Sequence, residues 1–267
     1  MVFAMSTTRY GGSGDPARTL RLLWAGEAPR AAGTPGPKPG LNVDTIVQAA
    51  IAIADERGDA SISMRAVAGR LGCTAMALYT HVGGRAELLD LMYDRVHAPL
   101  LPPGPGAWAA RVHEWARQLL DLYVRHPWAG EVSFARPVLG PHEQRAMETL
   151  LEALEPAGLV WTDATAIVSA LFSLARATAR TISEARAAEA ETAQSDRDWW
   201  QARMRALAEA APDFAARFPR WTALAGAGGR AADGGGDSTT PLLERAARRT
   251  FGRAVELLLA GAAATTA

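Results

Sequence analysis

Few side chains in this sequence have the type and spacing for chemistry, and most of them lack a partner. Asp94 and His97 stand at i, i+3 on one helical face, a spacing that suits two metal ligands. No third donor converges on them, so a surface ion pair is expected there. His142-Glu143 lacks the second histidine of a zinc-protease helix. The only serine flanked by glycine on both sides, Ser13, falls in a Gly-rich segment that cannot hold a nucleophile in register with a base. A single cysteine, Cys73, excludes an intrachain disulfide and a cysteine-clustered zinc site. No catalysis, no metal and no cofactor are expected.

One constellation remains. The 28 Lys+Arg and 28 Asp+Glu leave no net charge, so affinity for a polyanion must be local. Between Asp59 and Glu87 no acidic residue occurs, while Arg65, Arg70, His81 and Arg85 lie inside that window, which makes it a local basic face.

The elements that position this window are helical. Asn42 can cap a first helix with Ile46, Ala50, Ile53 and Ala54 on one stripe, stopped by Gly58. Ser63 can cap a second, with Val67, Ala68 and Leu71 on its buried face, before a turn at Gly72. Thr74 caps a short third helix whose Leu78 and Val82 face inward, and a fourth begins near Arg85 and carries Leu88, Leu89, Met92 and Val96 to Pro99. Three short helices with a glycine turn between the second and third are the architecture of a helix-turn-helix unit. With Leu78 and Val82 inside, Thr74, Ala75, Ala77, Tyr79, Thr80 and His81 lie on or near the outer side. Tyr79 can offer its hydroxyl to a phosphate, Thr74 and Thr80 can bond base edges, and Ala75 and Ala77 allow close approach to a groove.

Downstream the pattern stays helical. Trp108, Val112, Trp115, Leu119 and Leu122 form one run to His126-Pro127, Pro141 opens a helix to Gly158, and Thr162-Asp163 starts another that runs to about residue 183. Residues 184–198 are polar, Trp199-Trp200 begins a weaker helix, and Gly226–Gly236 reads as a mobile loop. A last helix, capped by Thr240 with Pro241 in its first turn, has Phe251, Val255, Leu258 and Leu259 on its apolar face. No strand pattern is found. Residues 1–40 mix seven glycines and five prolines and carry an excess of three positive charges, so they read as a flexible arm without regular structure, either a solvated tail or an electrostatic DNA arm. No apolar run approaches a membrane span, and the chain is expected in the cytoplasm.

The residues Ser63-Met64-Arg65-Ala66-Val67-Ala68-Gly69-Arg70-Leu71-Gly72, Ala77-Leu78-Tyr79-Thr80-His81-Val82 and Glu87-Leu88-Leu89-Asp90 resemble the DNA-binding domain of the TetR family, without a gap over 42–92. The Leu-Tyr-x-His-Val segment looks more similar to the tetracycline-repressor branch than to the commoner Tyr-x-x-Phe form. The resemblance implies that Arg65, Ala75, Met76, Ala77, Tyr79, His81 and Arg85 face DNA. Two departures stand out: Gly83-Gly84 lies where many relatives carry lysine or asparagine, and Ala75 replaces a polar base reader. The rest of the chain resembles the all-helical regulatory half of the same branch through Arg125-His126-Pro127-Trp128, Ala135-Arg136-Pro137 and Phe251-Gly252. It implies a dimer held by the last two long helices in a four-helix bundle, and a ligand enclosed by the middle ones. The histidines that hold the drug-bound metal in tetracycline repressors are replaced by Leu101 and a position near Val132, so a hydrophobic ligand is expected instead.

The expectation is an all-α protein with an arm over 1–40, a helix-turn-helix domain over 41–87 and a regulatory and dimerisation domain over 88–267. As a homodimer without a membrane it would bind a near-palindromic double-stranded operator and release it on binding a small-molecule inducer. Trp115, Trp128, Phe134, Phe172 and Arg176 are the candidate inducer contacts, among a wider aromatic set with Trp108 and Trp161 and the polar anchors His126 and Arg136. Exposure of Phe251, Val255 and Leu258 on a lone chain supports the dimer. The alternatives are a helical small-molecule-binding protein without specific DNA binding, and a nucleoid-type protein without sequence preference.

Overall fold

The computed structural model describes residues 9–25, 40–133, 135–233 and 240–266. It is built from α1 (Pro16–Trp24), α2 (Val43–Arg57), α3 (Met64–Leu71), α4 (Ala75–Val82), α5 (Arg85–His97), α6 (Trp108–Arg125), α7 (Pro127–Glu131), α8 (Pro141–Leu154), α9 (Trp161–Thr192), α10 (Asp196–Ala210), α11 (Phe214–Arg217), α12 (Pro219–Asp233) and α13 (Leu242–Thr265). An N-terminal helix-turn-helix unit, α2 to α4, is followed by a larger helical half. The one departure from all-helical structure among the described residues is a pair of two-residue strands, β1 (Arg9–Tyr10) and β2 (Val132–Ser133), parallel and with Arg9 opposite Val132. A two-residue strand has no readable period, which is why the sequence shows no sign of it.

Local chemistry sets the head. Asn42 and Thr45 form a reciprocal capping box at the start of α2. The Ser63 hydroxyl accepts the Ala66 N–H, and the Thr74 hydroxyl accepts the Ala77 N–H. Ile46, Ala50, Val67, Leu78, Val82 and Leu88 are buried together beneath these caps. Each large apolar side chain buried this way stabilises by about 1.5–3 kcal/mol, so the seating of α4 on α2 and α5 is an apolar effect and its polar contacts only adjust it.

In the larger half α6 packs on α8 and α9, and α13 lies against α9 and α6. The buried Glu244 carboxylate fixes that last arrangement, accepting from Arg186 of α9 at 2.9 Å and from Arg248 at 3.0 Å, while Arg248 also reaches Asp121 of α6 at 2.6 Å. No helix among the described residues is long and apolar enough to cross a membrane.

Several expectations need correction. Residues 9–25 are not an irregular arm: Asp15 caps α1, which packs against α5, and Leu23 and Thr19 are buried. The remainder of the arm, 1–8 and 26–39, lies outside the described residues. Helix α9 continues through the polar stretch to Thr192, and α12 runs through Gly226 to Asp233, so the first part of the glycine-rich segment is helical. Pro241 is the N-cap of α13 rather than part of its first turn. Phe251 and Val255 are buried within the single chain, leaving Leu257, 57% exposed, as the outward apolar residue of α13.

The Asp94–His97 pair is neither on the surface nor an ion pair. Asp94 is buried and accepts the His142 and Glu143 backbone N–H groups, both at 2.9 Å, and His142 Nδ1 at 2.7 Å, thereby capping α8 from another helix. His97 is buried beside it with Nδ1 2.7 Å from the Tyr93 carbonyl oxygen. The replacement Asp94→Ala would strand those donors, and we expect it to lower stability by about 2–4 kcal/mol, read as an earlier urea midpoint; a loss within 0.5 kcal/mol would mean α8 does not depend on this carboxylate.

Candidate nucleic-acid interface

The head presents α4 outward. Met76 is 76% exposed and Tyr79 42% exposed, Thr74 and Thr80 are exposed, and Ala75, Ala77 and His81 are half-buried. Arg65 and Arg85, in the first turns of α3 and α5, are exposed. The structure thus places every residue expected to face DNA on or near the outside of the unit, with Leu78 and Val82 fully buried on its other side.

Two hydroxyls are already engaged. Thr74 is the cap of α4, and the Thr80 hydroxyl donates to the Ala77 carbonyl at 2.6 Å, which leaves its lone pairs to accept from a base edge. Arg70, inside the acid-free window of the sequence, is met in space by Glu56 of α2 at 2.7 Å. An exposed pair of this kind adds little stability, but it cancels one positive charge of the face.

A side chain counted in the sequence only as part of the arm's positive charge arrives from α1. Arg18 donates to the Tyr79 carbonyl at 3.0 Å, at the C-terminal end of α4. Its guanidinium lies over Gly83, where an added Cβ would come within 2.8 Å of Arg18 Nε. Gly83 also has φ 79° and ψ −65°, a conformation that disfavours any other residue. The departure from relatives at Gly83 therefore has a local cause, invisible without the position of α1.

Carboxylates of α2 and α5 tie the larger half and the N-terminal segment in place. Asp55 of α2 accepts from His126 Nδ1 and Trp128 Nε1, both at 2.8 Å. Asp90 of α5 accepts the Gly12 N–H at 2.9 Å, and Glu87 accepts the Asp15 N–H at 3.1 Å. Burial pushes the Asp90 carboxyl up to about 6, against the Gly12 hydrogen bond and helped by nearby Glu87. Burial also pushes His97 down to about 4, against its bond to the Tyr93 carbonyl and the nearby Asp94 charge. It pushes Glu143, Tyr93 and Tyr123 up.

The candidate inducer residues that the structure describes are engaged with other parts of the protein. Trp115 is fully buried with its N–H on the Ala146 carbonyl, and Phe172 meets it edge-on at 5.7 Å. Trp128 is fully buried on Asp55. Arg176 donates to the Gly130 and Val132 carbonyls and to the Tyr93 hydroxyl. Trp161 is 77% exposed and Phe134 lies outside the described residues. A groove of about 400 Å³ beside α8 and the start of α9 includes Trp161 and Leu151 but is edged by Glu148, Glu152 and Glu155.

Residues 99–234 match the tetracyclin repressor-like C-terminal domain family. Over 202 residues the chain is 41% identical to the HTH-type transcriptional repressor DrrR1 of Streptomyces coeruleorubidus, a match spanning 74% of this chain and 73% of that protein. The chain belongs to the TetR family. In this family the protein is a DNA-binding transcriptional regulator and not an enzyme. Two crystal structures of the TetR-family protein ActR from Streptomyces coelicolor are similar to it. The apo form is 27% identical with a TM-score of 0.62, over 86% of this chain and 98% of that one. The actinorhodin complex is 28% identical with a TM-score of 0.63, over 85% and 96%.

Two outcomes are expected of this regulator. Arg85→Ala should weaken binding to all duplexes alike and lower the salt slope by about one, measured by anisotropy across a salt series; an unchanged slope would remove Arg85 from the interface. The second concerns pH. In the unfolded chain His97 takes a proton near 6.5 and in the fold only near 4, so its contribution is lost as pH falls through that window. Asp90 takes its proton near 6 in the fold and near 3.8 when unfolded, so it returns stability over an overlapping range. Asp90→Asn removes the compensation, and between pH 6.5 and 4.5 it should lose about 2 kcal/mol more than wild type by urea titration. Parallel curves for the two proteins would exclude Asp90 as the linked group.

Proposed function

We propose that this chain is a repressor that binds a near-palindromic operator as a twofold dimer in the cytoplasm and leaves it when a small hydrophobic molecule binds its larger half. The observation that carries this reading is the outward face of α4, where exposed Met76 and Tyr79 are flanked by Arg65 and Arg85. An exposed methionine and tyrosine on a helix whose other side is fully buried suit a groove and its phosphates. We assign Arg65, Tyr79, His81 and Arg85 to the backbone. Met76, Thr80 and the cap Thr74 go to base edges, and Ala75 and Ala77 to close approach. The curated relative DrrR1 is named a repressor, and ActR is solved with actinorhodin and with (S)-DNPA.

The dimer reading rests on α9 and α13. Thr165, Ser169, Ser173, Ala177 and Thr181 recur every four residues along α9, all exposed and small enough for a second helix to approach closely, and Leu257 projects from α13. A twofold pair presents two heads to successive half-sites. The inducer reading keeps Trp115, Trp128, Phe134, Phe172 and Arg176 as candidates. In the present arrangement the indole and guanidinium N–H groups of three of them are spent on protein carbonyls, a carboxylate and a hydroxyl, so an inducer would exchange these bonds for its own. Such an exchange shifts the relative stability of two arrangements of the larger half and hence the spacing of the heads.

Selection of duplexes from a random pool by the purified protein tests the reading directly. We expect an inverted repeat bound at least about a thousandfold more tightly than random duplex, by a dimer in light scattering. Equal affinity for all duplexes would favour a nucleoid-type binder, and a monomer with no duplex affinity would favour a small-molecule-binding protein.

A further inference from the structure

We propose that Arg18 is a DNA-backbone contact, carried by the N-terminal strand and helix to the α4–α5 turn, where α4 and α5 themselves place only glycine. The inference rests on the DNA-binding reading above and adds to it a residue from a segment outside the helix-turn-helix unit.

The location comes first. Arg18 is half-buried, and one guanidinium N–H is fixed on the Tyr79 carbonyl. Its body lies over Gly83, at the turn that separates the exposed Tyr79 from the exposed Arg85. A guanidinium carries five N–H donors, so this anchoring leaves donors for an incoming anion and holds the group in one orientation.

Charge argues the same way. Among the described residues no carboxylate lies within ion-pair distance of Arg18, whereas Arg70 of α3 is cancelled by Glu56. The Glu87 carboxylate lies beside Gly84 in the same turn but accepts the Asp15 N–H, and Asp90 accepts the Gly12 N–H, so neither pairs with Arg18. A cation anchored at a surface without an ion-pair partner gains from a phosphate oxygen, through a charge-assisted hydrogen bond.

The segment is built to hold it there. Strand β1 pairs with β2, Arg136 stacks over the Tyr10 ring at 5.6 Å, and Trp24 Nε1 donates to the Leu139 carbonyl at 3.0 Å. Gly11 and Gly14 sit where a side chain would collide, at 2.8 Å from Val138 Cγ2 and 2.7 Å from Glu87. The run Gly11-Gly12-Ser13-Gly14 thus acts as a close-fitting clasp rather than a linker.

The experiment measures affinity of the full chain for its selected duplex and for random duplex across a salt series. Arg18→Ala should weaken both by about tenfold and lower the salt slope by about one, while Arg18→Lys retains the slope. Gly11→Val, which unseats the clasp at a distance, should reproduce the Arg18→Ala slope, and the double variant should add nothing further. Thermal unfolding of Arg18→Ala close to wild type excludes misfolding as the cause. An unchanged slope in Arg18→Ala, with Arg85→Ala still lowering it, would overturn the contact and leave Arg18 only a brace for α4. Absence of binding to any duplex by wild type would overturn the DNA-binding reading and this contact together.

Discussion

Three aspartates where the two halves meet, one on α2 and two on α5, set how the parts of the molecule are joined. Asp55, Asp90 and Asp94 accept donors from other elements: the His126 and Trp128 rings, the N-terminal clasp, and the first turn of α8. A carboxylate removed from water is costly unless its oxygens are met by donors at good geometry, so each contact fixes direction as well as distance. Apolar burial holds the two halves together, and these oxygens decide at which angle.

The same economy shows in the arginines. Those that tie helices together, Arg186 and Arg248 on Glu244 and Arg70 on Glu56, have their charge matched within the chain. Arg65 and Arg85 flank α4, and Arg18 lies on its C-terminal end with no carboxylate partner among the described residues. A chain with no net charge can in this way still present a positive surface to a polyanion, because its acids are consumed by structure where its bases are not.

Much of this was legible in the sequence. The caps at Asn42, Ser63 and Thr74, the inward Leu78 and Val82 and the start of α8 at Pro141 all act within one or two helical turns, the range over which residue type and spacing carry information. What escaped was long-range. Nothing in Gly-Gly-Ser-Gly distinguishes a loose tail from a backbone that must pass within contact of Val138 and Glu87. The Asp94–His97 spacing is identical for a surface pair and for a buried aspartate that caps a helix 48 residues away. Phe251 and Val255 form an apolar stripe whichever partner covers them, and here it is the chain itself. Trp115 and Trp128 could be recognised as aromatic candidates, but not that their indole N–H groups were already taken.

Helix α5 belongs to both halves at once. Asp90 grips the segment before α1, Asp94 grips α8, and its first residue is Arg85. It does not pivot alone: a rotation large enough to move Arg85 must either drag the N-terminal clasp and α8 along as one block or break partly buried hydrogen bonds. Communication between the halves is then a lever with two loads fastened to it, a stiffer and more all-or-none device than a single swinging helix.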